Sequence, residues 1–590
     1  MRGTIAALAA SGALALAVVG SAGGAGARTQ SDAAFAASYA LKGVTNVSAT
    51  TQRTSCYAPE VEYLDGAGYP GYADGGGSLC NGAVNTGEDS GPFAQQNVRN
   101  DVLLVKDHSE SDIRVDPLNP LHLIGQSKWF VNGQGYNHLL GFYESFDGGL
   151  TWRIQGHVPG YEGWTDNTDP VGAFDPWGNF YSLILPYQFY YKKDGSHGYS
   201  NGANLPNPSL PGEAVSNAVH PATVAARQNA GNWLANDYLY TVTQAVTHGP
   251  DKQWITIDTN PRSRFYGRAY AMFVIYDSFN GDHPFVSHAQ TRPDGTHTPW
   301  TTPYEIPSIK GHPYDQYLLP HVDPSGTVWT PSALTYPKQG YSTADITLTW
   351  SSDGGDTWHD AVPVVSGIAV PTYQNTTFRE GIVESFAVGR TKPDGVHYPL
   401  YLTYEDNSSG MSHVYLVWSL DGAKTWNGPI RVDDGDPNDG TPGEALQPSV
   451  SVAPNGTVAV TFYDRRLPCP TADSAEAGGS GIWWDPGTSS SPGTPWGRAN
   501  YCINTAIQFY SPTVAPIGQN IRLSTHTWDP QLSTAHPGSL NFSGGFIGDY
   551  FGIDSSTSGY TYTTSVSTFN YAGENPKFHQ QQIVARVATP

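Results

Sequence analysis

Ser351-Ser352-Asp353-Gly354-Gly355-Asp356-Thr357-Trp358 closes a run of alternating β-type residues, Ile346-Thr347-Leu348-Thr349-Trp350, and its pattern recurs twice in the chain. The other copies are Ser145-Phe146-Asp147-Gly148-Gly149-Leu150-Thr151-Trp152 and Ser419-Leu420-Asp421-Gly422-Ala423-Lys424-Thr425-Trp426. The shared form is S-x-D-G-x-x-T-W, and each copy stands at a turn that follows a strand. The Asp carboxylate bonds the N–H groups of its own turn, and Gly supplies the positive φ that the turn needs. Ser and Thr hydroxyls tie the strand ends together, while Trp covers the hairpin and anchors it to a neighbour. Such a turn is a staple and not a reaction centre. One copy is compatible with a chance Asp-Gly hairpin; three in register make a repeat.

A second pattern, strand then D-P or P-x-G then strand, precedes these turns. It occurs at Val115-Asp116-Pro117, Phe174-Asp175-Pro176-Trp177-Gly178 and Val322-Asp323-Pro324-Ser325-Gly326. Weaker copies lie at Ile257-Asp258, Lys392-Pro393-Asp394-Gly395 and Ala453-Pro454-Asn455-Gly456, and a diverged last unit lies around Gly552–Ser556. Asp116 to Ser145 spans 29 residues and Asp323 to Ser351 spans 28, so the same strand–turn–strand–strand unit recurs. The fold class read from this is all-β, a propeller of four-stranded blades. The steps between units exceed the ~40–50 residues of compact blades. Long inserted loops account for the excess, and residues 186–250 and 469–502 are the candidates.

Composition agrees. With 66 Gly and 45 Pro among 590 residues, aromatic content of 12% and only 14% charged residues, the chain suits many short strands joined by turns around a real core. Its net charge of −22 opposes nonspecific binding to nucleic acid or to anionic membranes, so no nucleic-acid partner is expected. That charge leaves room for an anionic ligand held locally by a few arginines.

The N-terminus reads as an export signal. Arg2 precedes an apolar run from Ile5 to Val19, and Ala25-Gly26-Ala27 offers a small-residue cleavage site. A membrane anchor is the competing reading, but the run is short for a span and no later stretch is apolar enough. The expected organisation is a signal peptide at 1–27, a loop-rich extension at 28–98 and the propeller at 99–590, secreted and monomeric. In an oxidising compartment the four cysteines pair most simply by proximity, Cys56 with Cys80 and Cys469 with Cys502. A zinc site is the alternative, although no C-x-x-C occurs.

The three S-x-D-G-x-x-T-W segments resemble the Asp boxes, or bacterial neuraminidase repeats, of the sialidase-like propeller family, in its secreted bacterial form. Phe462-Tyr463-Asp464-Arg465-Arg466, Phe546-Ile547-Gly548-Asp549-Tyr550-Phe551-Gly552 and Gln582-Ile583-Val584-Ala585-Arg586 are similar to further segments of that family. About seven repeat anchors along the chain favour seven blades, with the six of sialidases as the alternative. The resemblance implies an exo-acting glycoside hydrolase that releases sialic acid or a related acidic sugar. Such a site uses an arginine cluster on the substrate carboxylate, a Tyr nucleophile activated by a Glu, and an Asp acid/base. The chain departs from the family in lacking an F/Y-R-I-P motif; Asp112-Ile113-Arg114-Val115 is the nearest approach.

Carried onto this sequence, the catalytic candidates are Tyr550, Asp169 and Glu384, and the substrate-binding candidates are Arg379, Arg466 and Asp549. Each has a plainer alternative. Arg379 suits a loop salt bridge with Glu380 or Glu384, and Arg466 suits pairing with Asp464. Tyr550 suits blade-to-blade packing, and Asp169 suits a turn cap before Pro170. The acidic run Asp433-Asp434-Gly435-Asp436-Pro437-Asn438-Asp439 has oxygens suited to calcium but lacks EF-hand spacing, so a solvated turn is the expectation. There is no H-E-x-x-H, G-x-S-x-G, P-loop or Rossmann pattern, so no catalytic metal and no cofactor are expected. Two rival functions remain open: a non-catalytic propeller that binds a glycan or protein, and a glycosidase acting on neutral polysaccharide through two carboxylates.

Overall fold

A computed structural model of the chain describes residues 45–46 and 50–53 and, with interruptions, residues 108–590. The longer interruptions are 131–136, 199–211, 223–232, 435–442, 481–500, 531–545 and 571–579. Seven sheets form a seven-bladed propeller, antiparallel except where Thr45–Asn46 adds in parallel to the outer edge of blade 6. Blade 1 comprises His108–Val115, Leu123–Phe130, Asn137–Ser145 and Ile154–His157. Blade 2 comprises Asp166–Phe174, Phe180–Gln188, Gly212–His220 and Asp237–Thr243, and blade 3 His248–Ile257, Arg268–Asp277, Gly281–Gln290 and Tyr304–Glu305. Blade 4 runs through Asp315–Leu318, Val328–Thr335, Thr343–Ser351 and Val362–Ala369; blade 5 through Ser385–Val388, Leu400–Asp406, His413–Ser419 and Asn427–Arg431. Blade 6 is Ala445–Val452, Val458–Asp464, Asn504–Tyr510 and Pro516–Arg522. Blade 7 is Ile553–Ser555, Tyr560–Ser567 and Gln581–Ala588, with Thr50–Arg53 from near the chain start as its fourth, antiparallel strand. This borrowed strand pairs the edge that blade 7 alone would leave open. The one helix among the described residues is Ala475–Ser480.

The stretch 186–250, expected as an inserted loop, carries the two outer strands of blade 2. Gly212–His220 is buried along its whole length, so it reads as an uninterrupted buried run instead of an alternating strand.

Both sequence patterns are turns with fixed places. The D-P type joins the first and second strands of each blade. The N–H of Asp116, Asp175, Asp258, Asp323, Gly389, Ala453 or Ser556 opens it by bonding a carbonyl at its far side. The S-x-D-G-x-x-T-W type joins the third and fourth strands of blades 1, 4 and 5. In blade 4, Ser351 Oγ donates to Asp353 Oδ1 (2.8 Å), and Thr357 donates through its N–H (2.9 Å) and its Oγ1 (2.5 Å) to the same carboxylate. Asp147 and Asp421 make the same set of bonds. These donors hold the Asp147, Asp353 and Asp421 carboxyls below the usual range against the opposing effect of burial. The tryptophans reach the preceding blade: Trp358 Nε1 donates to Tyr304 Oη of blade 3 (3.3 Å), and Trp152 packs with Tyr562 and Val584 of blade 7.

The core is a set of layers between blades. Phe142 and Phe180 mark the layer between blades 1 and 2, Leu183 and Phe273 that between 2 and 3, and Leu402 and Ile346 that between 4 and 5. Equivalent clusters join 3 to 4, 5 to 6, 6 to 7 and 7 to 1. Each fully buried large side chain contributes about 1.5–3 kcal/mol. Because every blade shares its apolar faces with two neighbours, the ring and its centre form together. Cys469 and Cys502 are disulfide-bonded, as expected; Cys56 and Cys80 lie outside the described residues, as do the signal segment and Arg379.

Candidate functional site

The first strand of five blades breaks its ladder at one equivalent point. Register shifts fall between Ser109 and Asp112, Thr168 and Val171, Asp251 and Trp254, Gln316 and Leu318, and Leu446 and Ser449. Each bulge holds a non-glycine residue in the left-handed region: Glu110 (φ 49°), Asp169 (53°), Lys252 (55°), Tyr317 (50°) and Gln447 (48°). Each stands six residues before the residue that opens the inner turn: Glu110 before Asp116, Asp169 before Asp175, Lys252 before Asp258, Tyr317 before Asp323 and Gln447 before Ala453. In blade 7 Tyr550 also stands six before Ser556, but the positive φ falls two residues earlier, on Gly548 (103°). Left-handed non-glycine residues cost about 1–3 kcal/mol each and persist where surrounding structure over-determines them. Bulges re-aim side chains, and three of these residues, Asp169, Lys252 and Tyr317, reach one place.

That place is a small, partly open pocket. Asp169, Lys252, Tyr317, Asp549 and Tyr550 line it, with Trp254, Gln253, Leu318 and Leu319 completing the wall. Lys252 Nζ lies 3.0 Å from Asp549 Oδ2 and 4.8 Å from the centre of the Tyr317 ring. Behind Asp169, Lys128 Nζ lies 2.7 Å from Asp169 Oδ1 and 2.5 Å from Glu110 Oε2. Tyr550 donates its hydroxyl to the Pro170 carbonyl (3.1 Å) and meets the Trp254 ring edge-on at 5.3 Å. The Gln253 side-chain amide donates to the Asp169 carbonyl.

Electrostatics separate these groups. Burial and the nearby Asp169 push the Glu110 carboxyl well above its usual value. Burial also opposes ionisation of Asp169, but Lys128, a hydrogen bond shared with Glu110, and Lys252 together hold it far below the carboxylate range. Burial works against the charge on Lys252, yet Asp251 and Asp549 hold it firmly protonated. The Tyr550 phenol is pushed well up, first by burial and then by Glu110, Asp169, Asp112 and Asp549, so it holds its proton.

Of the residues singled out from sequence, Tyr550, Asp169 and Asp549 come together at this cavity. Glu384 lies buried immediately before the first strand of blade 5, with no side-chain partner among the described residues. Burial raises its carboxyl to about 8, against smaller lowerings from the backbone N–H groups of Glu384 and Ala333 and then from Lys252. Arg466 is not brought to the cavity. It is buried beside Asp464 (2.6 Å) and Asp434 (2.5 Å) and donates to Asn520 Oδ1 (2.7 Å), so its guanidinium is committed to joining the strands of blade 6. Asp433 and Asp434 of the acidic run are likewise engaged, Asp433 by His413, Arg431 and the Val414 N–H, and Asp434 by Arg466 and the Asn520 N–H. Residues 435–439 lie outside the described residues. Glu110, Lys128, Lys252, Trp254 and Tyr317 escaped the reading of the sequence. The six-residue offset from the inner turn would have found three of them. Lys128, on a second strand, carried no such mark.

No protein-family model matches the chain, and no curated protein matches it by sequence. Solved structures do resemble it. A Hadza microbial sialidase shares 13% identity, covering 60% of this chain and 63% of that one, at a TM-score of 0.38. The chain thus spans less than two thirds of that protein's length. An intramolecular trans-sialidase from Ruminococcus gnavus shares 11% identity over 62% of this chain and 91% of its own, at 0.39. An exo-1,5-α-L-arabinanase from a bovine ruminal metagenomic library shares 11% over 53% and 94%, at 0.28. At such identities no residue here inherits a role from any of them.

Proposed function

We propose that this protein is a secreted propeller glycoside hydrolase whose reaction centre is the cavity between Asp169 and Asp549, acting on a sugar that carries no carboxylate. One observation carries the reading. The cavity has two carboxylates, each countered by a lysine, between aromatic walls, and no arginine among its described lining residues. A sialic-acid carboxylate calls for planar, bidentate donors, which guanidinium supplies and a single lysine does not. A neutral sugar calls for ring faces and for carboxyl groups that exchange protons, which Trp254, Tyr317, Asp169 and Asp549 supply. In this reading Asp169 serves the leaving-group oxygen and Asp549 the opposite side, while Tyr550, with its proton retained, is a wall and hydrogen-bonding group. Glu384 is a reserve acid that stays protonated at neutral pH. Export is part of the proposal: residues 1–27 have the form of a signal, and the Cys469–Cys502 disulfide suits an oxidising compartment.

The test is hydrolysis of a panel of fluorogenic glycosides, including α-L-arabinofuranoside, neutral hexosides and an α-sialoside, by the mature protein and by Asp169→Asn. We expect turnover of a neutral glycoside, falling about 10²-fold or more in the variant. Turnover confined to the sialoside, and unaffected by the variant, would overturn the reading. The complete pairing of Lys128 and Lys252 with acids favours a second reading, a binding propeller without chemistry. Its mark is glycan binding that Trp254→Ala abolishes, with no turnover of any substrate.

A further inference from the structure

Glu110 and Lys128 are outside the cavity lining, yet they are built against it at a cost. Glu110 is fully buried, held in the left-handed region, and belongs to blade 1, whereas Asp169 belongs to blade 2. Lys128, on the second strand of blade 1, bridges the two carboxyls at 2.5 and 2.7 Å. Thr168 Oγ1 donates to Asp169 Oδ1 (2.6 Å), and the Phe546 ring covers the ammonium at 4.7 Å. A purely structural ion pair needs one acid for one lysine. Two buried acids facing one lysine cannot both ionise without strong repulsion.

We propose that Glu110 and Asp169 hold a single proton between them over Lys128, with Glu110 as its resting place, and that this proton is the one delivered through Asp169 to the leaving-group oxygen. The delivery step rests on the hydrolase reading above; the shared proton does not. The groups facing the pair are Lys128, Lys252, Asp251, Asp549 and Tyr550. In the reaction the glycosidic C–O bond breaks, its electron pair stays on the leaving oxygen, and that oxygen takes the proton from Asp169. The Glu110 proton moves to Asp169 in the same event, so Asp169 ends as it began and Glu110 ends ionised beside Lys128. Water adds its oxygen to the sugar carbon and gives its proton to Asp549, which releases it to solvent; solvent then reprotonates Glu110.

The experiment has two arms on the mature chain. Difference infrared spectra at neutral pH compare wild type with Glu110→Gln, an isosteric change. A protonated-carboxyl band present in wild type and missing in the variant is expected; no such band overturns the shared proton. Should Glu110→Gln not fold, Asp169→Asn with ¹³C-labelled glutamate gives the same decision. Removing the competing acid lets Glu110 ionise against Lys128, so a glutamate-shifted band must disappear. In the labelled wild type, a band that does not shift places the proton on Asp169 and overturns the proposal. The second arm compares leaving groups on the neutral glycoside that turns over. Glu110→Gln is expected to lower kcat about 10²-fold for a poor leaving group and only slightly for a dinitrophenolate, with KM unchanged. An equal loss for both makes Glu110 structural and overturns the delivery step. Absence of any turnover removes the delivery step together with the hydrolase reading, while the infrared arm still decides where the proton rests.

Discussion

The side-chain amide of Gln447 in blade 6 donates to the carbonyl of Gly548 at the entry to blade 7, 2.6 Å away. Gln447 is itself left-handed, and its own N–H is held by Glu405, which also accepts from Tyr373 Oη (2.6 Å). The clasp thus runs from blade 5 through blade 6 to the segment that carries Asp549 and Tyr550. Gln253 makes the counterpart contact from blade 3 to the Asp169 carbonyl of blade 2. Replacing Gln447 by Leu leaves a buried carbonyl without its donor and is expected to cost about 1–3 kcal/mol. Denaturant unfolding measures the loss; an unchanged midpoint with an unchanged slope would show that the clasp is idle.

Gly548 has no room for a side chain. A Cβ there would sit 2.5 Å from the Glu110 nitrogen and 2.9 Å from its Cα, both backbone atoms, at a φ of 103°. Backbone cannot swing aside as a flexible side chain can. Gly548→Ala is therefore expected to cost more than about 3 kcal/mol, combining conformational strain with displacement of blade 1 from blade 7. The thermal midpoint of the variant is the measurement, and a drop of a degree or two would contradict the packing described.

Glu384 offers a pH test whose sign is fixed. Its carboxyl is raised to about 8 in the folded chain, above the ordinary value of about 4.3 in the unfolded one. The folded state therefore binds the extra proton, and the group contributes a penalty that is absent below about pH 4 and grows as pH rises to about 8. Glu384→Gln, which cannot ionise, should match wild type in acid and become the more stable protein between those limits, by up to about 1.4 kcal/mol per pH unit. Unfolding curves at pH 4, 6 and 8 check this; parallel curves would rule it out.

The turn carboxylates predict a contrast within six residues. Asp353→Ala removes the acceptor for Ser351 and for both donors of Thr357 and should cost about 1 kcal/mol. Asp356→Ala, three residues on and exposed, should stay within about 0.5 kcal/mol of wild type. Equal effects at the two positions would mean that the hairpin is not held by its Asp.

The repeat was legible because its causes are local. The turns that Asp353, Asp323 and their equivalents form depend on bonds spanning two to four residues, so each copy announces itself wherever it stands, and spacing then implies blades. Tyr550 and Asp169 were named through the family resemblance, whereas locality marks only the turns. It also explains the error over residues 186–250, where a strand buried on both faces, Gly212–His220, has no alternation to betray it. What the arginines do was not local. Arg466 ends a strand as an arginine of a ligand cluster would, but Asp434 and Asn520, 32 and 54 residues away, take its donors. Glu110 and Asp169 are 59 residues apart, and their partner Lys128 lies between them in sequence on a different strand. By itself the sequence determined the repeating unit, the all-β class and the positions of the stapled turns. Only the closed ring decided which side chains meet: it buries Glu110, Lys128, Asp169 and Lys252 out of water, and burial is what couples their charges strongly enough to assign one of them a proton.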